Sequence, residues 1–291
     1  CMKQTWTLKD VKGGFYILPA MFILVMFLVI PLGLTIYYSF YRLDYLIKGN
    51  FVGLEHYKML LTSPKILRSL GATVLVTIAA TGISMILGLV LALWIDRKTG
   101  IFSYLIELVG LVPWVISMVA AGLLWKWLFN GDMGLLNGIL KMLGFSPIYV
   151  VQGKQSAIIA LIFVMAWRTI GYAMIMILAG LKGVDGGLIE AAKIDGASPW
   201  QSLIWIKLPL IKTQVLLSTI VLTVSNFTNN TIPKVLTSGG PNDATNVITL
   251  QQYNMSFRYY QFGESSALSV LIMLVTTLMI IAYMKVSKYK I

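Results

Sequence analysis

Hydroxyl and amide side chains recur through one apolar segment of the chain at helical spacing. Those that are three or four residues apart share a helix face, and the others flank it. The group comprises Thr219, Thr223, Ser225, Asn226, Asn229 and Asn230. Such side chains donate and accept hydrogen bonds, as sugar hydroxyls do, but polar residues also bond neighbouring helices within membranes. The pattern therefore predicts either a binding site for a polar solute or a contact between helices.

A second polar group interrupts an apolar run further upstream and contains Trp167, Arg168, Thr169 and Tyr172. An arginine well inside a membrane span costs about 2.5–3.5 kcal/mol on insertion scales, so it usually faces a cavity or a partner. Two hypotheses follow for Arg168. Its guanidinium contacts a solute, such as an acidic sugar, or it forms an ion pair with a partner subunit.

A short charged stretch, Glu190 to Gly196, stands between two apolar runs. Glu190 offers a carboxylate that an arginine of another protein could hold. The neighbouring Ala191 and Ala192 are small enough to let a helix lie deep in a groove. On composition alone, the stretch could equally be an amphipathic helix pair that anchors a loop to the membrane surface.

Capping residues predict the local structure of this stretch. Asp185 can cap a helix from Gly186 to Ile194, and Gly196 then ends it. Ser198 and Gln201 have the spacing of a capping box, with Pro199 at the first helical position between them. We therefore expect a helix, a tight turn and a second helix.

Reactive side chains are few in this sequence. It has one cysteine, Cys1, and one histidine, His56, so it offers neither an internal disulfide nor a metal cluster. None of its glycine pairs begins the G-x-x-x-x-G-K-[ST] loop that holds nucleotide phosphates. No nucleophile stands with a base, which argues against an enzyme. We expect no cofactor on this chain and His56 at its surface.

The composition indicates a membrane protein. The chain has 291 residues, of which 58% are hydrophobic, and a mean hydropathy of +0.82. Its net charge of +12 comes mostly from basic residues between apolar runs, where they meet lipid headgroups rather than nucleic acid. The predicted fold is an all-α membrane protein, one domain over residues 1–291, with about six spans. The spans are 15–40, 70–95, 103–127, 156–181, 210–232 and 264–286.

The basic residues also predict orientation. Lysine and arginine are denser in the loops that lie inside when the N-terminus is inside. We therefore expect both termini in the cytoplasm, together with the loop 182–209 between the fourth and fifth spans. The first run follows three lysines, and we expect it to remain as a span rather than a cleaved signal peptide. A lipid anchor on Cys1 is the less favoured alternative to an ordinary terminal residue.

Several motifs occur together in one known family. E-A-A at 190–192, Gly196 and I-x-L-P at 206–209 have the spacing of its cytoplasmic loop. Further matching motifs are F-V-G-L at 51–54, L-V-P-W at 111–114, W-K-W-L-F-N at 125–130 and T-S-G-G-P at 237–241. The chain resembles the permease subunits of binding-protein-dependent ABC importers, in the carbohydrate-uptake branch that includes the maltose and glycerol-phosphate permeases.

This resemblance implies roles for both polar groups. The loop would be the coupling helix that docks on a cytoplasmic ATPase, through Glu190, Ala191, Ala192, Asp195 and Gly196. The sugar contacts would be Trp167, Arg168, Thr169, Tyr172, Thr223, Ser225, Asn226, Asn229 and Asn230. The implied partners are a second homologous permease, two ATPase subunits that bind ATP and Mg, and an extracytoplasmic solute-binding protein. The implied location is the inner or plasma membrane of a bacterial or archaeal cell.

An alternative class is an ion-coupled secondary transporter of small polar solutes. It would need buried acidic residues or broken helices near the bilayer midplane. Glu107 is the only acidic residue well inside a predicted span, and it lies close to the predicted cytoplasmic end. The sequence therefore favours the ATP-driven permease.

Overall fold

The computed structural model describes residues 17–98 and 100–286 of the chain. It is 76% helical with almost no strand, which confirms the all-α membrane class. The strands are β1 (Tyr41–Asp44) and β2 (Ile47–Phe51). The helices are α1 (Ile17–Tyr38), α2 (Glu55–Thr62), α3 (Pro64–Asp96), α4 (Ile101–Val115), α5 (Met118–Leu128), α6 (Leu135–Met142), α7 (Lys154–Lys182), α8 (Gly186–Ile194), α9 (Pro199–Leu210), α10 (Lys212–Phe227), α11 (Thr231–Leu236), α12 (Ile248–Phe257) and α13 (Phe262–Val286).

Four of these helices are long and apolar enough to cross a membrane, namely α1, α3, α7 and α13. They correspond to the first, second, fourth and sixth predicted runs, although residues 15 and 16 of the first run lie outside the described part. Two bent pairs raise the total to as many as six spans: α4 with α5, at 97°, and α9 with α10, at 70°. The predicted number of spans therefore includes two that are not straight.

The third and fifth predicted runs are interrupted by local backbone conformation. Between α4 and α5, Ile116 and Ser117 have ψ angles of 137° and 138°, which is extended rather than helical backbone. Pro113, just before this break, cannot donate a helical hydrogen bond. α10 ends at Phe227, and the polar residues that follow separate it from α11. An apolar composition does not reveal such breaks, because the residues on both sides remain hydrophobic.

Contacts within the chain divide it into two compact units, one formed by Cys1–Thr62 with Asn254–Leu274 and the other by Ser63–Tyr253 with Val275–Ile291. In the first unit, β1 and β2 pair as an antiparallel hairpin. His56 on α2 is only 5% exposed, with its Nε2 3.2 Å from the Tyr41 carbonyl oxygen. The expectation of a surface histidine is therefore wrong, because this ring packs against the hairpin backbone. The prediction of one domain stays a prediction.

The second unit is built on the close approach of α3 and α7. A Cβ placed on Gly88 of α3 would lie 2.6 Å from the Ala173 Cβ of α7. Hydrogen bonds also join the two helices, because the Ser84 hydroxyl lies 2.7 Å from the Thr169 hydroxyl and 3.2 Å from the Ala166 carbonyl oxygen. On its other side, α7 meets α4 so closely that a Cβ on Gly171 would overlap the Gly110 carbonyl oxygen. Small residues thus let three helices pack backbone against backbone.

This packing gives a testable prediction about two glycines of the same helix. Gly88→Ala should lower the melting temperature of the purified protein in detergent, because overpacking a tight contact costs about 1–3 kcal/mol. Gly82→Ala is the matched control, since a Cβ there meets nothing within 4 Å. It should leave the melting temperature unchanged or raise it. Equal melting temperatures for the two variants would contradict the proposed contact.

Candidate functional site

The charged stretch forms two short helices whose first turns are capped by side chains. Asp185 Oδ1 accepts a hydrogen bond from the Gly187 N–H at 2.9 Å, where α8 begins. Gly196 follows α8 with a φ of +82°, a conformation that glycine adopts readily. At the start of α9, Ser198 Oγ accepts from the Gln201 N–H at 3.3 Å, and Gln201 Oε1 accepts from the Ser198 N–H at 2.7 Å. The predicted helix, turn and helix are therefore confirmed.

The predicted coupling residues do not all face outward. Glu190 and Ala191 are exposed, and so is Asp195 at the C-terminal end of α8. Ala192 is buried, with 9% of its surface exposed, so its small side chain serves the packing of the loop itself. A partner would therefore meet Glu190 and Ala191 directly.

Large apolar side chains add to the outer surface of this helix pair. Ile194, Trp200 and Trp205 are 86%, 68% and 77% exposed. Exposed side chains of this kind indicate contact with another protein or with lipid headgroups. The sequence motif does not include these three residues.

An ion pair joins α9 of the helix pair to the membrane-spanning helix α3. Lys207 Nζ in α9 lies 2.6 Å from Asp96 Oδ2 at the end of α3. The two side chains are 19% and 18% exposed, so the pair is largely shielded from water. Because α3 is long and apolar enough to cross a membrane, this bond gives the loop a direct contact with a membrane-spanning helix.

Three of the predicted solute contacts form hydrogen bonds to other helices, and their role towards a solute stays a prediction. Asn226 Nδ2 donates to Thr81 Oγ1 of α3 at 3.0 Å. The Thr223 hydroxyl lies 3.2 Å from the Tyr283 hydroxyl of α13, and it lines an open cavity of about 590 Å³ between α3, α10 and α13. The Thr169 hydroxyl bonds α3 at Ser84, as described above. These side chains hold the bundle together.

The other two amides of the first polar group, Asn229 and Asn230, lie at the break after α10. Asn229 Oδ1 accepts a hydrogen bond from the Ile232 N–H at 3.1 Å, which satisfies a donor at the start of α11. Asn230 is half-buried and accepts from the Thr231 hydroxyl at 3.2 Å. Ser225 is half-buried on α10. The residues of the first polar group therefore differ in burial and in bonding within the chain, and their contact with a solute stays a prediction.

The second polar group, by contrast, makes aromatic contacts with α4 and α5 and places one ring over a cation. The Trp114 ring, at the end of α4, lies 4.7 Å from the Tyr172 ring and 5.2 Å from the Arg168 guanidinium carbon. The Trp125 ring of α5 lies 5.3 Å from the Trp167 ring. We call these five side chains the aromatic site. Its two tryptophans from α4 and α5 flank the break in the third span.

Arg168 is buried within this site without an acidic partner. Its side chain is 8% exposed, and its Nε has no hydrogen-bond acceptor. No carboxylate among the described residues lies within ion-pair distance of it. Trp125 Nε1 is likewise a buried donor without an acceptor. Two buried N–H groups, one on α7 and one on the α5 tryptophan that contacts α7, thus lack an acceptor within the described chain.

Sequence reasoning placed Trp167, Arg168, Thr169 and Tyr172 in a solute site but did not include the two tryptophans. Trp114 and Trp125 stood out only as members of the motifs L-V-P-W and W-K-W-L-F-N. The signal that could have found them is the Pro113 and Ser117 pair, because interrupted spans mark binding sites in many transporters. Among the described residues, no group of three histidine, cysteine, aspartate or glutamate side chains is placed to hold a metal ion.

Comparisons with known proteins agree with this arrangement. The family model for "binding-protein-dependent transport system inner membrane component" matches residues 84–288. The trehalose/maltose transport system permease protein MalF of Thermococcus litoralis is 31% identical over 287 residues, covering 97% of this chain and 96% of that protein. The sn-glycerol-3-phosphate permease protein UgpA of Agrobacterium fabrum is 31% identical over 262 residues, covering 88% of each.

A solved structure shares the fold. A crystal structure of a bacterial ABC transporter that imports the acidic polysaccharide alginate aligns with a TM-score of 0.84 and 19% identity, covering 96% of each chain. The capped helix pair, the membrane spans and the family match over most of the sequence lead to one conclusion. The chain belongs to the family of inner membrane components of binding-protein-dependent transport systems and is a multi-pass permease subunit.

Proposed function

We propose that this permease subunit forms half of the pathway of an ATP-driven importer for a sugar or oligosaccharide. The observation that carries the proposal is the capped helix pair with Glu190 exposed and its base tied to α3 by the Asp96–Lys207 bond. A helix pair that is exposed on one side and joined to a membrane-spanning helix can transmit a movement of another subunit to the membrane spans. The sugar class rests on the relatives and on the aromatic site, since sugars are bound by aromatic faces and a few polar groups.

The proposed assembly has a second homologous permease, two ATPase subunits and an extracytoplasmic solute-binding protein. ATP and Mg bind to the ATPases, and hydrolysis takes place there. The helix pair α8–α9 then lies in the cytoplasm, as do both termini. This arrangement agrees with the denser lysine and arginine content of the loops on that side.

The aromatic site is the proposed solute-binding part of the pathway. Trp167, Arg168 and Tyr172 contribute from α7, and Trp114 and Trp125 are added to the residues proposed from sequence. Thr169, Thr223, Asn226 and Asn229 remain proposed contacts, and each also makes a hydrogen bond within the chain that helps to shape the bundle. Ser225 and Asn230 remain as further candidate contacts at the end of α10.

The first test separates this function from ion-coupled transport. Proteoliposomes containing the complete assembly should take up sugar only when ATP is supplied to the ATPase side. Uptake should persist when ionophores dissipate proton and sodium gradients. Uptake that continues without the ATPase subunits would favour a secondary transporter and contradict the proposal.

The second test concerns the docking carboxylate. Glu190→Arg should reduce co-purification of the ATPase at least about tenfold, because it turns an attractive charge contact into a repulsive one. Glu190→Asp keeps the carboxylate and should retain much of the binding. Asp132→Arg applies the same charge reversal to an exposed acid between α5 and α6 and should leave ATPase binding unchanged. Normal binding by Glu190→Arg would refute the assigned role of Glu190.

The third test concerns the bond between the loop and α3. Asp96→Lys or Lys207→Asp places like charges where a 2.6 Å ion pair now stands. Each single change should lower the amount of sugar transported per ATP hydrolysed several-fold, while hydrolysis itself continues. The double change, Asp96→Lys with Lys207→Asp, restores opposite charges and should recover most of the coupling. If the double variant is no better than the singles, the ion pair does not transmit force.

A further inference from the structure

Arg168 lies at the midpoint of α7, about 21 Å from either end at the helical rise. An α-helix of this length spans the apolar part of a bilayer, so the guanidinium lies near the depth at which a charge is least tolerated. A buried charge at this depth is normally paired with an opposite charge or faces a water-filled cavity. Any partner of Arg168 must therefore be sought at this level of the bundle.

The chain itself supplies no such partner among its described residues. Arg168 has the Trp114 ring over its guanidinium at 5.2 Å and an Nε without an acceptor. The nearest acid along the packed helix α4 is Glu107, about two turns from Trp114, and it forms no ion pair with Arg168. The neighbouring Thr169 hydroxyl is already bonded to Ser84.

The geometry of this contact leaves the Nε donor of Arg168 without an acceptor. All five N–H groups of a guanidinium lie in its plane, so a ring that covers one face does not use them. The edge that carries Nε is one of the edges that can bind a carboxylate or phosphate with two parallel hydrogen bonds. Trp125 Nε1 is a second buried donor without an acceptor. The Trp125 ring contacts Trp167, the residue before Arg168.

We propose that Arg168 binds an acidic group of the transported solute, a carboxylate, phosphate or sulfonate, while the neighbouring aromatic rings hold the apolar faces of the sugar. The inference rests on the proposed import function and narrows its substrate to acidic saccharides or sugar esters. Trp114 is a positioning residue in this site, because it fixes the plane of the guanidinium. The competing source of the anion is a carboxylate of the second permease.

The two sources of the anion predict opposite effects on the empty assembly. If Arg168 has no anionic partner until a solute binds, Arg168→Gln removes an uncompensated charge. The melting temperature of the solute-free assembly then stays the same or rises. If Arg168 pairs with the second permease, the same change leaves an unpaired carboxylate there, and the melting temperature falls. Lys154→Gln is the matched control, because it removes a charge from the exposed start of the same helix.

The decisive experiment compares matched neutral and acidic sugars on the purified complete assembly. Galactobiose and digalacturonic acid, and glycerol and glycerol 3-phosphate, differ chiefly in the acidic group. We expect at least one acidic member to raise the melting temperature of the wild-type assembly and its neutral counterpart not to do so. Arg168→Gln should need at least a tenfold higher solute concentration to reach the same rise in melting temperature. Arg168→Lys should keep part of this rise, and Lys154→Gln should keep all of it.

Three results would overturn the inference: no stabilisation by any acidic member, equal stabilisation by the neutral counterpart, or an undiminished shift in Arg168→Gln. A solute-free Arg168→Gln assembly that melts well below wild type would assign the anion to the second permease instead. ATP-driven uptake of a neutral sugar that survives in Arg168→Gln would also overturn the inference while leaving the import function intact. Absence of any ATP-driven uptake by the wild type would count against the function itself.

Discussion

Helices α3 and α7 approach so closely at Gly88 and Ala173 that no Cβ fits on the glycine without displacement. Within a bilayer, apolar side chains gain little from leaving lipid for protein, so close backbone packing and hydrogen bonds between helices must hold the bundle. α7 meets α4 in the same way at Gly171. These contacts determine where Trp114, Arg168 and Tyr172 meet, and the end of α3 carries the ion pair that holds the α8–α9 loop. Both functional parts of the chain therefore depend on the same pair of packed helices.

The polar residues of α10 show why sequence alone does not distinguish solute-binding residues from residues that join helices. Thr223 and Asn226 recur at helical spacing in an apolar run, which is the pattern of either role. In the structure, Asn226 bonds Thr81 and Thr223 bonds Tyr283. Each partner belongs to a helix far away in sequence, so no local rule could have identified it. Arg168 differs because a charge has few suitable partners inside a membrane, which made it a candidate site before any contact was known.

Local signals predicted the α8–α9 loop almost completely. Asp185, Gly196 and the Ser198–Gln201 box act over only a few residues, and each cap has the predicted partner. The burial of Ala192 and the Asp96–Lys207 bond depend on tertiary contacts instead, and the sequence did not reveal them. The break between α4 and α5 could be predicted from sequence only in part. Pro113 and Ser117 were visible, but hydropathy averaged over a span conceals a turn of two residues.

The two best-defined cations of the chain show how charge pairing separates structural from functional roles. Lys207 has its carboxylate at 2.6 Å and needs no ligand. Arg168 has an aromatic face and an Nε without an acceptor, and a desolvated cation–π contact of about 2 kcal/mol falls short of the roughly 2.5–3.5 kcal/mol that a central arginine costs on insertion scales. A small deficit of this kind suits a transport site, because a solute that completes the pairing is bound without being held too tightly to leave. A permanently paired arginine at the same place would stabilise the bundle more and offer nothing to a solute.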